Sequence, residues 1–346
     1  MSDDITQEVK RKFDALVRRY DRFEDSVRLN DLSKSIVNIA NDIRKYPLDI
    51  QSIREKGYVF RKYLEHMAEV LAEHWQESKA TVERAIASEQ RRLHQEMTAV
   101  KSDVELARQV ESVPTKLAHV LPGLEQQIDE FEKKVSAAER HVRNQFDTIR
   151  RDSDALKQQI REINQFIKTL GEASFKLLMG ESLYMVSSAE WVQDKKNTPD
   201  GYLYLTDHRL IFEQDQKVGK TLGLFGGKQV KEVLWEVNLN QVDSLEFENK
   251  GLFGGKDMVY LNLKDGTRHT VEVKGAANNK FWIKQIERMI AGETNDERAI
   301  QPEPELIEAL KNAPTACHVC GATLPMLVAN QRQIECEYCG SVIRIG

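Results

Sequence analysis

The sequence contains no apolar run long enough to span a bilayer, and its first residues, MSDDITQEVKRKF, lack the apolar core of a secretory signal. A cytoplasmic protein is expected, with peripheral membrane association as the mode left open. Cysteine is absent before position 317, and the four cysteines of the tail, paired as C-x2-C twice, suit metal binding in a reducing compartment better than a disulfide framework. There is no excess of basic charge: the net charge of −5 argues against a surface that grips nucleic acid as a whole, local patches aside. Aromatics reach only 7%, beside 30% charged and 40% hydrophobic residues, a composition suited to a soluble chain rich in solvated helix. Catalytic constellations are missing too. No nucleophile elbow and no histidine pair at metalloprotease spacing is found, and the eight histidines fall mostly on helix surfaces. VGKT at 218–221 ends like a phosphate-binding loop, but Gln214 stands where its first glycine is required. A protein that is not an enzyme is expected.

What is present begins with helix. Ile5, Val9, Phe13, Leu16, Tyr20, Phe23 and Val27 recur three and four residues apart, and Leu32, Ile36, Ile39 and Ile43 resume in a shifted phase, predicting a long amphipathic helix that Pro47 stops. A second helix, weakened near its start by Gly57, is expected to reach about Glu111. Its stripe steps by eleven, through Phe60, Leu71, Val82, Leu93 and Val104 beside Leu64, Trp75, Ile86 and Met97, a period that favours a straight or slightly right-handed bundle. After breaks at Pro114, Pro122 and Gly123, a third helix steps by seven: Ile128, Val135, Val142, Ile149, Leu156, Ile163 and Leu170 form one aliphatic column. The facing column, Leu124, Phe131, Ala138, Gln145, Asp152, Gln159 and Phe166, places three polar layers in the middle. At 1.5 Å per residue the second and third helices are each about 70 to 80 Å long and can fold back as a hairpin with the first alongside. Residues 1–172 therefore read as a coiled-coil rod for self-association, with a membrane-remodelling hairpin as the other reading.

From Leu183 the period becomes two. SLYMVSS, GYLYLTD, RLIFEQ, KEVLWEV, VDSLEFE, MVYLNL and RHTVEV are seven short runs separated by Gly, Asp, Asn and Lys, followed by the amphipathic NNKFWIKQIERMIAG. Seven antiparallel strands and one helix describe a small bent barrel with a helix over its open end. The segments GYLYLTDHRLIFEQ at 201–214 and WEVNLNQVDSLEFE at 235–248, with Trp282 on the closing helix, resemble the GRAM and pleckstrin-homology-like superfamily over residues 180–291. The resemblance implies a binding module for phosphoinositides, other anionic lipids or proteins. In the first hairpin, basic residues are limited to Lys195 and Lys196.

The hexapeptide GLFGGK occurs at 223–228 and again at 251–256, in the connections expected between the third and fourth and between the fifth and sixth strands. The paired glycines suit tight reversals. They do not account for Leu224, Phe225, Leu252 and Phe253 at loop tips. Around these lie Lys217, Lys220, Lys228, Lys231, Lys250 and Lys256. An apolar tip ringed by lysines suits an anionic membrane interface, each lysine adding about 1 kcal/mol. The other readings place the Leu-Phe pairs over the barrel ends, against a neighbouring protomer, or against a different partner.

The tail, CHVCGATLPMLVANQRQIECEYCG, is C-x2-C-x15-C-x2-C with Gly321 and Gly340 directly after the pairs. Cys317, Cys320, Cys336 and Cys339 supply four thiolates to one tetrahedral zinc ion, and a glycine after each pair permits the turn that aims amides at sulfur. With the final SVIRIG strand the segment resembles a zinc ribbon over 317–346. Iron in a rubredoxin-like site is the competing metal. Four protein ligands leave no open position, so the metal is expected to be structural. The segment 292–316 is acidic and proline-bearing and reads as a flexible linker. The whole predicts a multidomain α + β scaffold, membrane-associated through the barrel loops and offering its ribbon to a protein partner. The alternative is a soluble regulator whose ribbon touches nucleic acid or the transcription machinery while the barrel binds protein; Arg332 and Arg344 are the tail's only cations for that role.

Overall fold

The computed structural model describes residues 2–346 except 195–196, 219–227, 251–254, 276, 303–313, 326, 329–332 and 345–346. No helix among the described residues is long and apolar enough to cross a membrane. The chain forms two compact units, one of residues 1–47 and 66–158 and the other of residues 48–65 and 159–346.

The first unit is a helical bundle of three passes. Helices α1 (Ser2–Tyr20), α2 (Phe23–Val27) and α3 (Asn30–Glu55) make the first, α4 (Tyr63–Gln109) the second, and α5 (Pro114–Asn144) with α6 (Asp147–Gly171) the third, the stretches of α3 after 47, α4 before 66 and α6 after 158 belonging to the second unit. Lys12 pairs with Glu125 at 2.6 Å and Arg19 with Glu132 at 2.7 Å, so the first and third passes run in the same direction. Lys10 to Glu111 and Arg108 to Asp21, both 4.0 Å, set the second pass antiparallel to the first. The phase shift in the first pass has a cause: the chain breaks around Leu29, whose φ of 48° redirects the backbone so that Leu29 and Leu32 both enter the core. Pro47 does not stop the helix as expected but sits inside α3. It removes one backbone hydrogen bond, while Tyr46, Ile50 and Ile53 on either side are buried and hold the helix in place. Pro122 likewise lies inside α5, which opens on Pro114.

The eleven-step stripe of α4 is buried at Leu71, Val82, Leu93 and Val104. The aliphatic column of the third pass is buried as well, through Ile128, Val135, Val142, Ile149, Leu156 and Ile163. The facing column departs from expectation. A break at Gln145–Phe146 between α5 and α6 inserts four residues into the seven-step, and beyond it Phe146, Ser153 and Ile160 take the core positions. Gln145 and Asp152 face solvent, so the three polar layers reduce to one. At that layer the buried Tyr46 hydroxyl meets the Ser153 carbonyl at 2.9 Å and its hydroxyl at 2.7 Å, leaving no donor unmet. Both columns are thus covered within the one chain, as in the hairpin with the first helix alongside.

The second unit is built on seven strands: β1 (Leu183–Trp191), β2 (Asp200–Thr206), β3 (Arg209–Val218), β4 (Lys228–Asn238), β5 (Val242–Lys250), β6 (Lys256–Leu263) and β7 (Arg268–Val273), followed by α7 (Asn279–Ile290). They form one antiparallel sheet in the order β4-β3-β2-β1-β7-β6-β5. Gly201 is required in β2, because a Cβ there would lie 1.9 Å from the Glu213 carbonyl oxygen. Asn278 caps α7, accepting the Phe281 N–H at 2.9 Å, and the helix lays the buried Trp282, Ile283 and Ile286 against β5 and β6. The turn after α3, where Gly57 has φ of 89°, packs on the sheet through the Tyr58 hydroxyl, which donates to the Tyr184 carbonyl at 3.0 Å.

Residues 292–300, expected as flexible linker, are folded onto this unit. Thr294 and Arg298 are buried, and Lys62 N–H donates to the Glu297 carbonyl at 2.8 Å. Ala299 N–H donates to the Val59 carbonyl at 2.7 Å, while Arg298 is ion-paired with Asp207. Of the acids in this segment, Glu293 and Glu297 both pair with Arg288. At the C-terminus β8 (Gln333–Glu335) pairs with β9 (Val342–Arg344).

Candidate metal centre and the ends of the sheet

The four cysteines converge, their sulfurs all within 4.8 Å of one another. Cys317 Sγ lies 3.7 Å from Cys339 Sγ and Cys320 Sγ 3.6 Å from Cys336 Sγ. None is in a disulfide. Four sulfurs at about 2.3 Å from a central zinc ion stand about 3.8 Å apart at the corners of a tetrahedron, so the cage has the size that such an ion requires.

Two matching turns build it. Gly321 N–H donates to the Cys317 carbonyl and Gly340 N–H to the Cys336 carbonyl, each at 2.8 Å. The glycines have φ of 76° and 69°, a conformation that side-chain-bearing residues rarely adopt. Closing each turn on the first cysteine's carbonyl leaves the intervening amides free to face sulfur: those of Val319 and Cys320 reach Cys317. The Ser341 hydroxyl lies 3.1 Å from both Cys317 Sγ and Cys339 Sγ. That hydroxyl, then the Cys320 amide, draws the Cys317 thiol down to about 5. Cys320 has an amide donor from Ala322, yet crowding by the Cys339, Cys336 and Cys317 sulfurs pushes its thiol up. Crowded thiolates with amide donors around them form a site suited to a divalent cation. Cys317 and Cys336 are buried over Leu324, Leu327, Ile334 and Ile343, whereas Cys320 and Cys339 are exposed.

The loop residues fall in the connections expected of them. Val218 pairs with Lys228 and Lys250 with Lys256, so both copies of GLFGGK do fall in hairpin connections. Leu224, Phe225, Leu252, Phe253 and Lys220 lie outside the described residues, as do Lys195 and Lys196. Strand directions separate the copies. Across β2 and β7 respectively, β3 and β6 both run parallel to β1. The 219–227 connection follows the end of β3, whereas the second copy precedes β6. The two hairpins therefore leave the sheet at opposite ends.

The lysines flanking the two copies differ in their partners. At the second copy, Lys250 lies 3.2 Å from Glu248 and Lys256 2.5 Å from Glu272. At the first, Lys231 pairs with Asp215 at 3.0 Å, but Lys217 and Lys228 are exposed and have no carboxylate partner among the described residues. The same end carries the turn between β6 and β7 with the exposed Lys264, because Val192 N–H, just past β1, donates to the Thr270 carbonyl at 2.8 Å.

No family model matches the sequence, and no curated protein matches it. Among solved structures, the DH/PH domains of PDZ-RhoGEF in complex with activated RhoA align with 83% of this chain and 95% of theirs, at 13% identity and a TM-score of 0.27. The DH/PH fragment of the same protein with human RhoA gives 13% identity, coverage of 83% and 93%, and a TM-score of 0.29. The C-terminal domain of an unknown protein from Leishmania infantum covers 37% of this chain and 96% of its own at 14% identity, with a TM-score of 0.25. Scores this low do not establish a common fold.

Proposed function

We propose that the chain is a non-enzymatic modular scaffold in which a GRAM/PH-like barrel touches anionic membrane and a zinc ribbon serves as a structural module that also meets a protein partner. The order of elements, seven meandering antiparallel strands and then a helix laid on β5 and β6, supports the PH-like reading. The sulfur cage supports zinc, and its four protein ligands complete a tetrahedral sphere with no position left for substrate.

The observation that carries the membrane reading is the difference in carboxylate pairing between the lysines flanking the two copies. Of the described lysines flanking the two GLFGGK copies, Lys217 and Lys228 at the first have no carboxylate partner among the described residues, whereas Lys250 and Lys256 at the second are both paired. Membrane contact is therefore assigned to the first copy's end alone, through Phe225 and its flanking lysines, rather than to both copies together. The test is co-sedimentation of the full chain with phosphatidylserine-containing and with neutral vesicles. At about 1 kcal/mol per lysine, Lys217→Glu with Lys228→Glu weakens anionic binding about 30-fold or more. Lys250→Glu with Lys256→Glu leaves it nearly unchanged. Equal loss from the two double variants, or no pelleting of the unaltered chain, refutes the reading.

A further inference from the structure

The cysteine module is joined to the segment that leads into β1, and the junction runs through backbone, side chains and a buried ion cluster. Leu178 forms an antiparallel bridge with Val328, and Met179 N–H donates to the Leu327 carbonyl at 2.7 Å. The Met179 side chain packs into the small apolar core beneath the sulfurs, the core that contains Leu327 itself. Two residues further on, the Glu181 carboxylate is fully buried. It accepts the Leu178 N–H at 2.6 Å and the Thr206 hydroxyl at 2.7 Å, and it holds the Arg209 guanidinium at 2.9 and 3.0 Å. Arg209 in turn donates to the Lys176 carbonyl at 3.0 Å.

We infer that metal binding in the ribbon clasps the strap of residues 174–181 onto the sheet, so that metal occupancy is transmitted to the base of β1. This rests on the metal reading above. The physical reason is the smallness of the ribbon: its strands are three residues each and its core is six buried residues, two of them ligands. Such a module does not hold its fold without the free energy of metal coordination. When the metal leaves, Leu327 and Val328 lose their fixed positions, and the middle of the strap loses the partners that keep Met179 covered. Its ends stay tied, at Ser174 to Glu213 and at Glu181 to Arg209. The consequence is local opening between two anchored points. Coupling of this kind is reciprocal: a strap that docks well must also slow metal loss.

The experiment uses the full chain, with zinc content measured first, and follows amide hydrogen exchange before and after zinc removal by a chelator. The expected result is roughly tenfold or faster exchange at Met179, the scale of losing one ordered backbone hydrogen bond, with Leu203 and Phe212 in the sheet unaffected. Ile334 and Ile343 in the ribbon lose protection in the same step. If the ribbon amides lose protection while Met179 keeps its own, the clasp is overturned and the metal reading stands. If the purified chain carries no zinc and takes none up while Ile334 and Ile343 are protected, the metal reading fails and the clasp with it. A second variant works in the opposite direction: Met179→Ser is expected to speed zinc transfer to a chromophoric chelator several-fold. An unchanged transfer rate also overturns the clasp.

Discussion

Arg209→Ala tests the account of the second unit at its most demanding point. The guanidinium grips both oxygens of Glu181, pairs also with Glu236, and donates to the Lys176 carbonyl, while its own side chain and that of Glu181 are almost wholly removed from water. Truncation leaves the Glu181 carboxylate buried, with the Thr206 hydroxyl and Leu178 amide as its remaining donors among the described residues. Stranding one member of a buried pair costs about 3 to 5 kcal/mol. With an m-value of about 2 kcal/mol per molar urea, the midpoint for the second unit falls by about 2 M. Trp191 and Trp235, both in contact with Phe212 three residues along β3, report the transition by fluorescence. Arg209→Lys recovers little, because an ammonium cannot span two carboxylate oxygens and a carbonyl in one plane. The paired replacement Arg209→Met with Glu181→Leu removes both charges and is expected to restore most of the loss. A single-variant cost below about 1 kcal/mol would mean the cluster is solvated, and the reasoning fails.

The remaining expectations are shorter. The purified chain binds one zinc ion per molecule by atomic emission, and Cys317→Ser with Cys336→Ser abolishes it; Ser341→Ala, which removes a hydroxyl 3.1 Å from two sulfurs, retains stoichiometry but loses metal faster to a chelator. Asp207 raises the pKa of His208 through a 2.8 Å contact, so the imidazole titrates by NMR above its ordinary 6.5 and returns toward it in Asp207→Asn. The sign follows: the raised value stabilises the folded chain below about pH 6.5, and that contribution is lost as pH rises through the folded value. A stability that instead grows over this window through His208 contradicts the contact. In sedimentation equilibrium the helical unit is expected not to oligomerise through its aliphatic column, since Ile128, Val142, Leu156 and Ile163 are already covered within one chain; a dimer that Leu156→Asp dissolves without unfolding the bundle would show otherwise.

Features set by near neighbours were legible in the sequence. The cysteine pairs with their glycines dictate a sulfur cage because ligand spacing and turn conformation act within four residues. The seven strand runs were legible by alternation, and the stripe of α4 by its eleven-step. Features set across space were not. Gln145, Asp152 and Gln159 follow a perfect seven-step, yet a slip at Gln145–Phe146 exchanges them for Phe146, Ser153 and Ile160. The chain gives up an uninterrupted helix there to bury Phe146, which favours the larger apolar term. Pro47 was read as a stop because its local cost is certain, whereas the burial that overrides it depends on residues elsewhere in the fold.

The GLFGGK repeat separates these two kinds of information most clearly. Both copies stand between paired strands, and hairpin chemistry accounts for their glycines but not for their Leu-Phe pairs. Strand order then places them at opposite ends of one sheet, and cross-strand pairing decides what each lysine can do. Asp215 is the register partner of Lys231 on the neighbouring strand, while the acid facing Lys256 comes from β7, sixteen positions away in the chain. A lysine held by a carboxylate at 2.5 Å offers a lipid phosphate little uncompensated charge; an unpaired one offers nearly all of it. Two identical hexapeptides can therefore differ in binding although nothing in either copy differs, and the charge-reversal pairs at 217/228 and 250/256 measure that difference directly.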